Sequence, residues 1–281
     1  MYNFKKNTKK NKIKKICKVI LNLYKICYKD LSKNNLRIRR FVNKKVLNKI
    51  AIIIPAYNEE KYIEETVKRC LEVLPDVVVI DDGSSDLTNS IAKKVGALVL
   101  KHKVNKGKGV ALRTGFDYAL ENGFSGIITI DADHQHDIDE IQKFINFLSL
   151  GKEDVDIILG NRMKNPENMP WIRYIANKFT SWLISIRAGI KIPDVQSGFR
   201  YINKRVLKNV KTKTSRFEAE PELLLRASLK GYKTVSIPIS TIYYKNAISY
   251  VHPIKDAFMF LKMFVQSFLW KTNSQDIDEQ S

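Results

Sequence analysis

The feature that most restricts the fold is a series of short runs rich in Val, Ile and Leu, separated by segments of helical periodicity. These runs cover residues 50–54, 77–80, 97–100, 126–130 and 155–159. A strand with one face in water alternates apolar and polar residues, whereas a strand that reads as nearly continuous aliphatics is covered on both faces. Between the runs, the spacing of apolar residues predicts helices over about 59–74, 87–95, 109–121 and 138–148. The expectation is an α/β fold: a mostly parallel sheet with helices on both faces. After Arg162 the pattern changes to helices near 171–187 and 220–229, a strand near 234–237 and an apolar helix near 256–270. Three regions are expected: a basic leader over residues 1–49, one body over 50–249, and a C-terminal apolar helix with a polar tail over 250–281.

Charge separates the leader from the body. The chain carries a net charge of +20, and the first fifty residues hold 17 basic positions against the single acid Asp30. The body is therefore only mildly basic. Plotted at ~100° per residue, Ile13, Ile16, Cys17, Ile20, Leu21, Leu23, Tyr24 and Cys27 share one helical face. Lys14, Lys15, Lys18, Asn22, Lys25 and Lys29 share the other. Such a helix suits an anionic lipid surface, with docking on the protein body as the alternative. Nucleic-acid binding is not expected, because aromatic residues are sparse among the lysines. No secretory or mitochondrial address is expected, since the basic stretch is too long and no small-residue cleavage site follows. Cys17, Cys27 and Cys70 form an odd, widely spaced set, which suggests neither disulfides nor thiolate zinc and fits a reducing cytosol. No apolar run approaches the ~18 to 20 residues needed to cross a bilayer.

In open α/β sheets ligands bind beyond the carboxyl ends of the strands. There the sequence is unusual: PAYNEE at 55–60, DDGSSD at 81–86 and DADHQHD at 131–137. Carboxylates that share a crevice repel one another unless a cation lies between them, and hard dications prefer oxygen ligands while leaving room for phosphate. The pattern points to Mg²⁺ or Mn²⁺ serving a diphosphate. The competing reading of Asp81, Asp82 and Asp86 is turn formation and helix capping. A dinucleotide site is a poor fit, because no G-x-G-x-x-G follows the first strand and Gly107, Gly109 and Gly115 are only loosely spaced. His134 and His136 lack a third ligand at useful spacing and read as polar loop groups.

Taken in order, IIIPAYNEE, VVVIDDGSSD, GKGVALRTG, IDADHQHD, GNR at 160–162, DVQSGFR at 194–200 and FEAEPELLLRASLKGYKTVSIPIS resemble the family 2 glycosyltransferases. These have the GT-A (Rossmann-like) fold. The nearest branch is the polyprenyl-phosphate, dolichyl-phosphate mannose synthase-like transferases. The resemblance implies that Pro55, Tyr57, Glu59, Ile80 and Asp82 hold the nucleoside. It implies that Asp131, Ala132 and Asp133 form the DxD-type motif, and that Asp131, Asp133 and Gln135 bind the dication. Arg162 corresponds to an arginine meeting the donor phosphates. Asp194, Gly198, Phe199 and Arg200 correspond to the acceptor-side motif, and Glu222 to the acid opening the next helix.

The resemblance implies an inverting, metal-dependent transfer from a UDP- or GDP-sugar to a polyprenyl phosphate, by a peripheral protein at the cytoplasmic membrane face. A lipid phosphate is already an oxyanion and needs no base. A hydroxyl acceptor in a glycan or glycolipid, the alternative, would need one, and Asp194 or Glu222 would serve. A non-catalytic membrane or nucleic-acid adaptor is the remaining alternative. Asp194 and Glu222 also have structural readings, as a turn cap and as a favourable charge in a helix's first turn. Where the dolichyl-phosphate mannose branch has an arginine and a lysine after its PIS strand, this chain has Tyr244 and Tyr250, with Lys245 the nearest cation. The donor sugar therefore stays open.

Overall fold

A computed structural model describes residues 50–133, 137–149, 155–164, 166, 169–240 and 253–270. The leader helix at 13–29, Cys17 and Cys27, the loop residues His134, Gln135 and His136, the residues Tyr244, Lys245 and Tyr250, and the tail after 270 lie outside them.

The aliphatic runs form the middle of one seven-stranded sheet, in the order β3-β2-β1-β4-β6-β5-β7. The strands are β1 (Ile50–Ala56), β2 (Val77–Asp81), β3 (Leu98–Lys101), β4 (Gly126–Thr129), β5 (Ile157–Asn161), β6 (Arg200–Asn203) and β7 (Thr234–Pro238). Neighbouring strands are parallel except at β6, which runs antiparallel to both β4 and β5. Within β1, Ile52 and Ile54 enter one core while Ala51 and Ile53 enter the other. In β2, Val77 and Val79 likewise separate from Val78 and Ile80. This two-sided burial is why the strands do not alternate with polar residues. The edge strands β3 and β7 are only half-buried.

The first core is closed by helices α1 (Ile63–Val73), α2 (Thr88–Lys94) and α4 (Ile141–Ser149), with Ile63, Val67, Cys70, Ala92 and Phe144 facing the sheet. The second is closed by α3 (Lys108–Glu121), α6 (Lys204–Asn209) and α7 (Ala219–Leu229), with smaller contributions from α5 (Trp171–Ala188) and α8 (Pro253–Gln266). Cys70 is buried, and burial pushes its thiol up to about 12. Two elements differ from the sequence reading. Residues 200–203 form β6 although Arg200 opens the strand, and the short α6 follows it directly. The helix expected from about Glu59 begins at Ile63, after a turn.

The topology brings the chemistry to one edge. The carboxyl ends of β1, β2, β4, β5 and β7 lie there, and so does the amino end of the reversed β6. The strand order reverses between β1 and β4, which is where a crevice opens in a sheet of this kind.

Candidate active site

The turns after β1 and β2 are laced together by side chains that satisfy each other's backbone. Asn58 adopts φ 55°, a left-handed conformation that Asn tolerates better than most residues. Its Oδ1 accepts the Ser85 N–H at 2.9 Å, and its own N–H donates to Ser84 Oγ at 2.9 Å. The Glu59 N–H donates to Thr88 Oγ1 at 2.8 Å, the Glu60 N–H to Asp86 Oδ2 at 3.1 Å, and the Leu87 N–H to Glu60 Oε2 at 3.1 Å. Asp86 also accepts from the Thr88 N–H at 2.9 Å, the N-terminal tether of α2.

The two acids ending β2 point to separate tasks. Asp81 is fully buried, and its Oδ1 accepts the Ser84 N–H at 2.8 Å while Lys101 Nζ lies 3.5 Å from Oδ2. Asp82 accepts the Lys106 N–H at 3.0 Å and the Gly107 N–H at 2.7 Å, and His102 Nδ1 lies 2.7 Å from Oδ1. Asp82 thus fastens the turn that leads into α3. Gly107 is required there: its φ is +97°, and a Cβ would meet the Ser215 carbonyl oxygen at 2.4 Å. Ile80 is fully buried in the second core, so any nucleoside contact there falls to its backbone. Pro55 and Tyr57 are half-buried at the end of β1, and Ala132 is buried beside the acids that follow β4.

Asp131 and Asp133 leave β4 at the crevice and act electrostatically on Glu59. Burial comes first, then the charges of Asp133 and Asp131 and finally Asp86, and together they push the Glu59 carboxyl up to about 8. On its other side Asp131 meets Lys108 Nζ at 2.7 Å, and that ammonium also reaches Glu220 Oε2 at 3.1 Å. Burial opposes the charge of Lys108, but Asp131 and then Glu220 outweigh it and hold the ammonium well above its ordinary range. Glu220 in turn lies 3.5 Å from the guanidinium of Arg200. Arg200 is 2% exposed and also donates to the carbonyls of Ser197 and Glu220. The result is a row of alternating charge, Asp131–Lys108–Glu220–Arg200, part-buried at its Asp131 end and buried at Glu220 and Arg200, joining the segment after β4 to α3, α7 and β6. Gly198 closes the space beside it: a Cβ there would lie 2.3 Å from Asp131 Oδ2.

Three predicted site residues have other immediate partners. Arg162, at the end of β5, forms a fork on the fully buried Asp194, with Nε–Oδ2 and Nη2–Oδ1 both at 2.8 Å and a backbone N–H bond at 3.1 Å. Glu222 is 1% exposed. Its Oε2 accepts the Lys213 and Thr214 N–H groups at 2.9 Å and the Thr214 hydroxyl at 2.7 Å, and its Oε1 accepts Arg226 Nε at 2.6 Å. Glu222 therefore pins the segment before α7, while Glu220, two residues earlier and on the opposite side of the helix, belongs to the charged row.

Lys108 and Glu220 lie inside the quoted GKGVALRTG and FEAEPELLL stretches, but the sequence alone assigns a role to neither. A signal was present in the spacing: Glu222 has Arg226 at i+4 and reads as an intrahelical pair, whereas Glu220 has Leu224 there.

The donor set suits a hard dication. Asp131, Asp133 and Glu59 offer only oxygen, and the Glu59 carboxyl is raised by its burial first and then by the charges of Asp133 and Asp131. Among the described residues no group of three or more His, Cys, Asp or Glu converges as a complete site. Were a dication bound here, Asp131 and Asp133 would be the residues among those described that could hold it, with oxygens of a diphosphate suited to the remaining positions.

Comparison with known proteins agrees with the strand-end motifs. The pattern of the family described as Glycosyl transferase family 2 matches residues 51–211. UDP-N-acetylglucosamine–dolichyl-phosphate N-acetylglucosaminyltransferase of Methanococcus voltae is 33% identical over 217 residues, covering 69% of this chain and 86% of that protein. Polyprenol monophosphomannose synthase of Mycolicibacterium smegmatis is 28% identical, covering 67% and 76%. In fold, the chain is similar to the crystal structure of glucosyl-3-phosphoglycerate synthase from Mycobacterium tuberculosis in complex with Mn²⁺ and UDP-glucose. The TM-score is 0.60 at 18% identity, over 81% of this chain and 82% of that one. The ordered motifs, the GT-A sheet that carries them and the matched span agree, and the chain belongs to glycosyltransferase family 2.

Proposed function

We propose that this glycosyltransferase moves a sugar from a UDP- or GDP-sugar to a polyprenyl phosphate, with inversion, at the cytoplasmic face of a membrane and with Mg²⁺ or Mn²⁺ bound. What supports the metal is the all-oxygen set of Glu59, Asp131 and Asp133, placed beyond the carboxyl ends of the adjoining parallel strands β1 and β4. A dication held by Asp131 and Asp133, with Gln135 as the further ligand, supplies Lewis-acid stabilisation of the charge that builds on the departing diphosphate. Lys108 holds one Asp131 oxygen in place at 2.7 Å. The laced turns at 57–60 and 82–88 form a rigid wall for the nucleoside.

The choice of acceptor is supported by what the two carboxylates offered as bases are doing. Asp194 is gripped by the Arg162 fork, and Glu222 accepts four hydrogen bonds. Each is engaged by partners it would have to release in order to take a proton from a hydroxyl. A phosphate oxyanion requires no such release. Relatives whose names state dolichyl or polyprenol phosphate chemistry support the same choice.

The test is transfer of radiolabel from nucleotide sugars to undecaprenyl or dolichyl phosphate. Label entering the organic phase supports the reading; label that stays aqueous while a saccharide acceptor is glycosylated overturns it. A melting-temperature panel of UDP-, GDP- and dTDP-sugars, each with Mn²⁺ and Mg²⁺, identifies the donor, because a ligand specific to the folded state raises the melting point.

A further inference from the structure

Helix α5 is built inside out. The residues it buries are Asn177, Thr180, Ser181 and Ile184, three of them polar. Trp171, Ile175, Phe179, Trp182 and Ile186, which recur at helical spacing along one face, are 55–70% exposed. A helix resting on a core in water shows the reverse pattern. The polar side is satisfied internally: the Thr180 hydroxyl donates to the Ala176 carbonyl at 2.9 Å, and Ser181 Oγ accepts the Val195 N–H at 3.1 Å.

Helix α8 carries a second stripe. Phe260 and Met263 are buried, whereas Ile254, Phe258, Leu261 and Val265 are 52–89% exposed. The C-terminal ends of the two helices meet, where Arg187 donates to the Ser267 carbonyl at 2.7 Å and lies 5.0 Å from the centre of the Phe268 ring. The flanks are of one sign. Helix α5 has no acid, and the sole acid of α8, Asp256, is paired with Arg216 at 3.1 Å. Arg173, Lys178, Lys255 and Lys262 are exposed.

We infer that the exposed faces of α5 and α8 form a docking surface for an anionic lipid layer. Apolar and aromatic side chains flanked by cations match the acyl boundary and the headgroups above it. A second copy of this chain would bring like-charged flanks together, so charge complementarity favours lipid over self-association. The surface has a firm link to the site: Arg216, paired with Asp256 of α8, follows Ser215, whose carbonyl accepts the Gly109 N–H at 2.8 Å next to Lys108. This inference rests on the membrane reading above and adds a location to it, on elements separate from the basic leader.

The test uses the full chain and its three tryptophans, Trp171, Trp182 and Trp270. The Trp270→Phe variant leaves emission only from the two on α5. Mixed phosphatidylcholine–phosphatidylglycerol vesicles with brominated acyl chains should quench that emission at least about twofold, and phosphatidylcholine alone should do so far less. If Trp270→Phe unfolds, the difference in quenching between the natural chain and Trp171→Phe/Trp182→Phe gives the same reading. Flotation with vesicles but no quenching of Trp171 and Trp182 overturns the inference, because contact then lies elsewhere, and it leaves the transferase reading intact. Concentration-dependent dimerisation that shields these tryptophans without lipid also overturns it. Quenching together with failure of label to enter polyprenyl phosphate sustains the surface and defeats the proposed acceptor.

Discussion

Replacing Gly198 by Ala separates positioning from stability at this site. The added Cβ would lie 2.3 and 2.5 Å from the two oxygens of Asp131, closer than side-chain carbons approach such atoms. Gly198 does not have a positive φ, so the backbone accepts alanine without strain. What must yield is the end of a side chain, and the carboxylate has to retreat by roughly 1 Å; displacement of that size at a reacting centre costs on the order of 10²-fold in rate. That corresponds to about 2.7 kcal/mol of lost transition-state stabilisation. The retreat also strains the Lys108–Asp131 pair at 2.7 Å, whose charges the rest of the row still balances. The assay is label transfer at saturating donor and acceptor, with Mn²⁺ titrated, beside a thermal melt. The expected result is a large fall in kcat and a weakened Mn²⁺ requirement curve, with a melting temperature close to that of the natural chain. Gly198→Ala with activity within about threefold of the natural chain would show that the position of Asp131 is not critical, and the reasoning behind the 10²-fold figure would fail.

Other expectations concern neighbouring groups. The folded-state pKa of Glu59, about 8, lies above its ordinary 4.5, so the folded chain keeps a proton that the unfolded chain releases between those limits. That contribution to stability is fully present below the ordinary value and is lost as pH rises through about 8. Metal-free protein should therefore lose melting temperature across this window, and either Mn²⁺ or Glu59→Gln should flatten the slope; a slope identical in Glu59→Gln would place its origin elsewhere. Glu222→Gln should cost about 1–3 kcal/mol in urea unfolding by weakening a buried acceptor of three N–H or O–H groups besides Arg226. Unchanged stability with lost turnover would instead make Glu222 a catalytic group. Arg162→Ala should cost about 3–5 kcal/mol, because it strands a buried carboxylate. If that variant melts normally and loses only donor affinity, the Asp194 fork is not what holds this corner.

The sheet was legible because covering a strand on both faces leaves a plain mark: residues 50–54 and 77–80 contain no polar residue at all. Strand β6 was not legible. Arg200 looks like a surface residue, and only the carbonyls of Ser197 and Glu220, brought by two distant segments, allow its guanidinium to be buried. The acids at the strand ends were conspicuous, but their division of labour was hidden. Asp82 and Asp86 tie down turns, as the capping reading allows, while Asp131 pairs with Lys108 and, with Asp133, raises the carboxyl of Glu59, and residue type alone does not distinguish these tasks. Glu220 and Glu222 differ by two positions in one helical turn, so their separate roles depend on which way each points. In α5 the periodicity was visible, and its direction was inverted: amphipathic spacing says that a helix has two faces and leaves open which one meets the protein.

The position of β5 has a consequence for how the chain is made. Among the described residues its partners are β6 and β7, and both are synthesised after it. On leaving the ribosome, Ile157, Ile158 and Leu159 therefore have no ladder to join, while β1 to β4 can already assemble. The half-built protein presents a sticky, unpaired ribbon until the chain has run through α5 and turned back, so a stop codon or translational pause in that interval invites aggregation or capture by a chaperone.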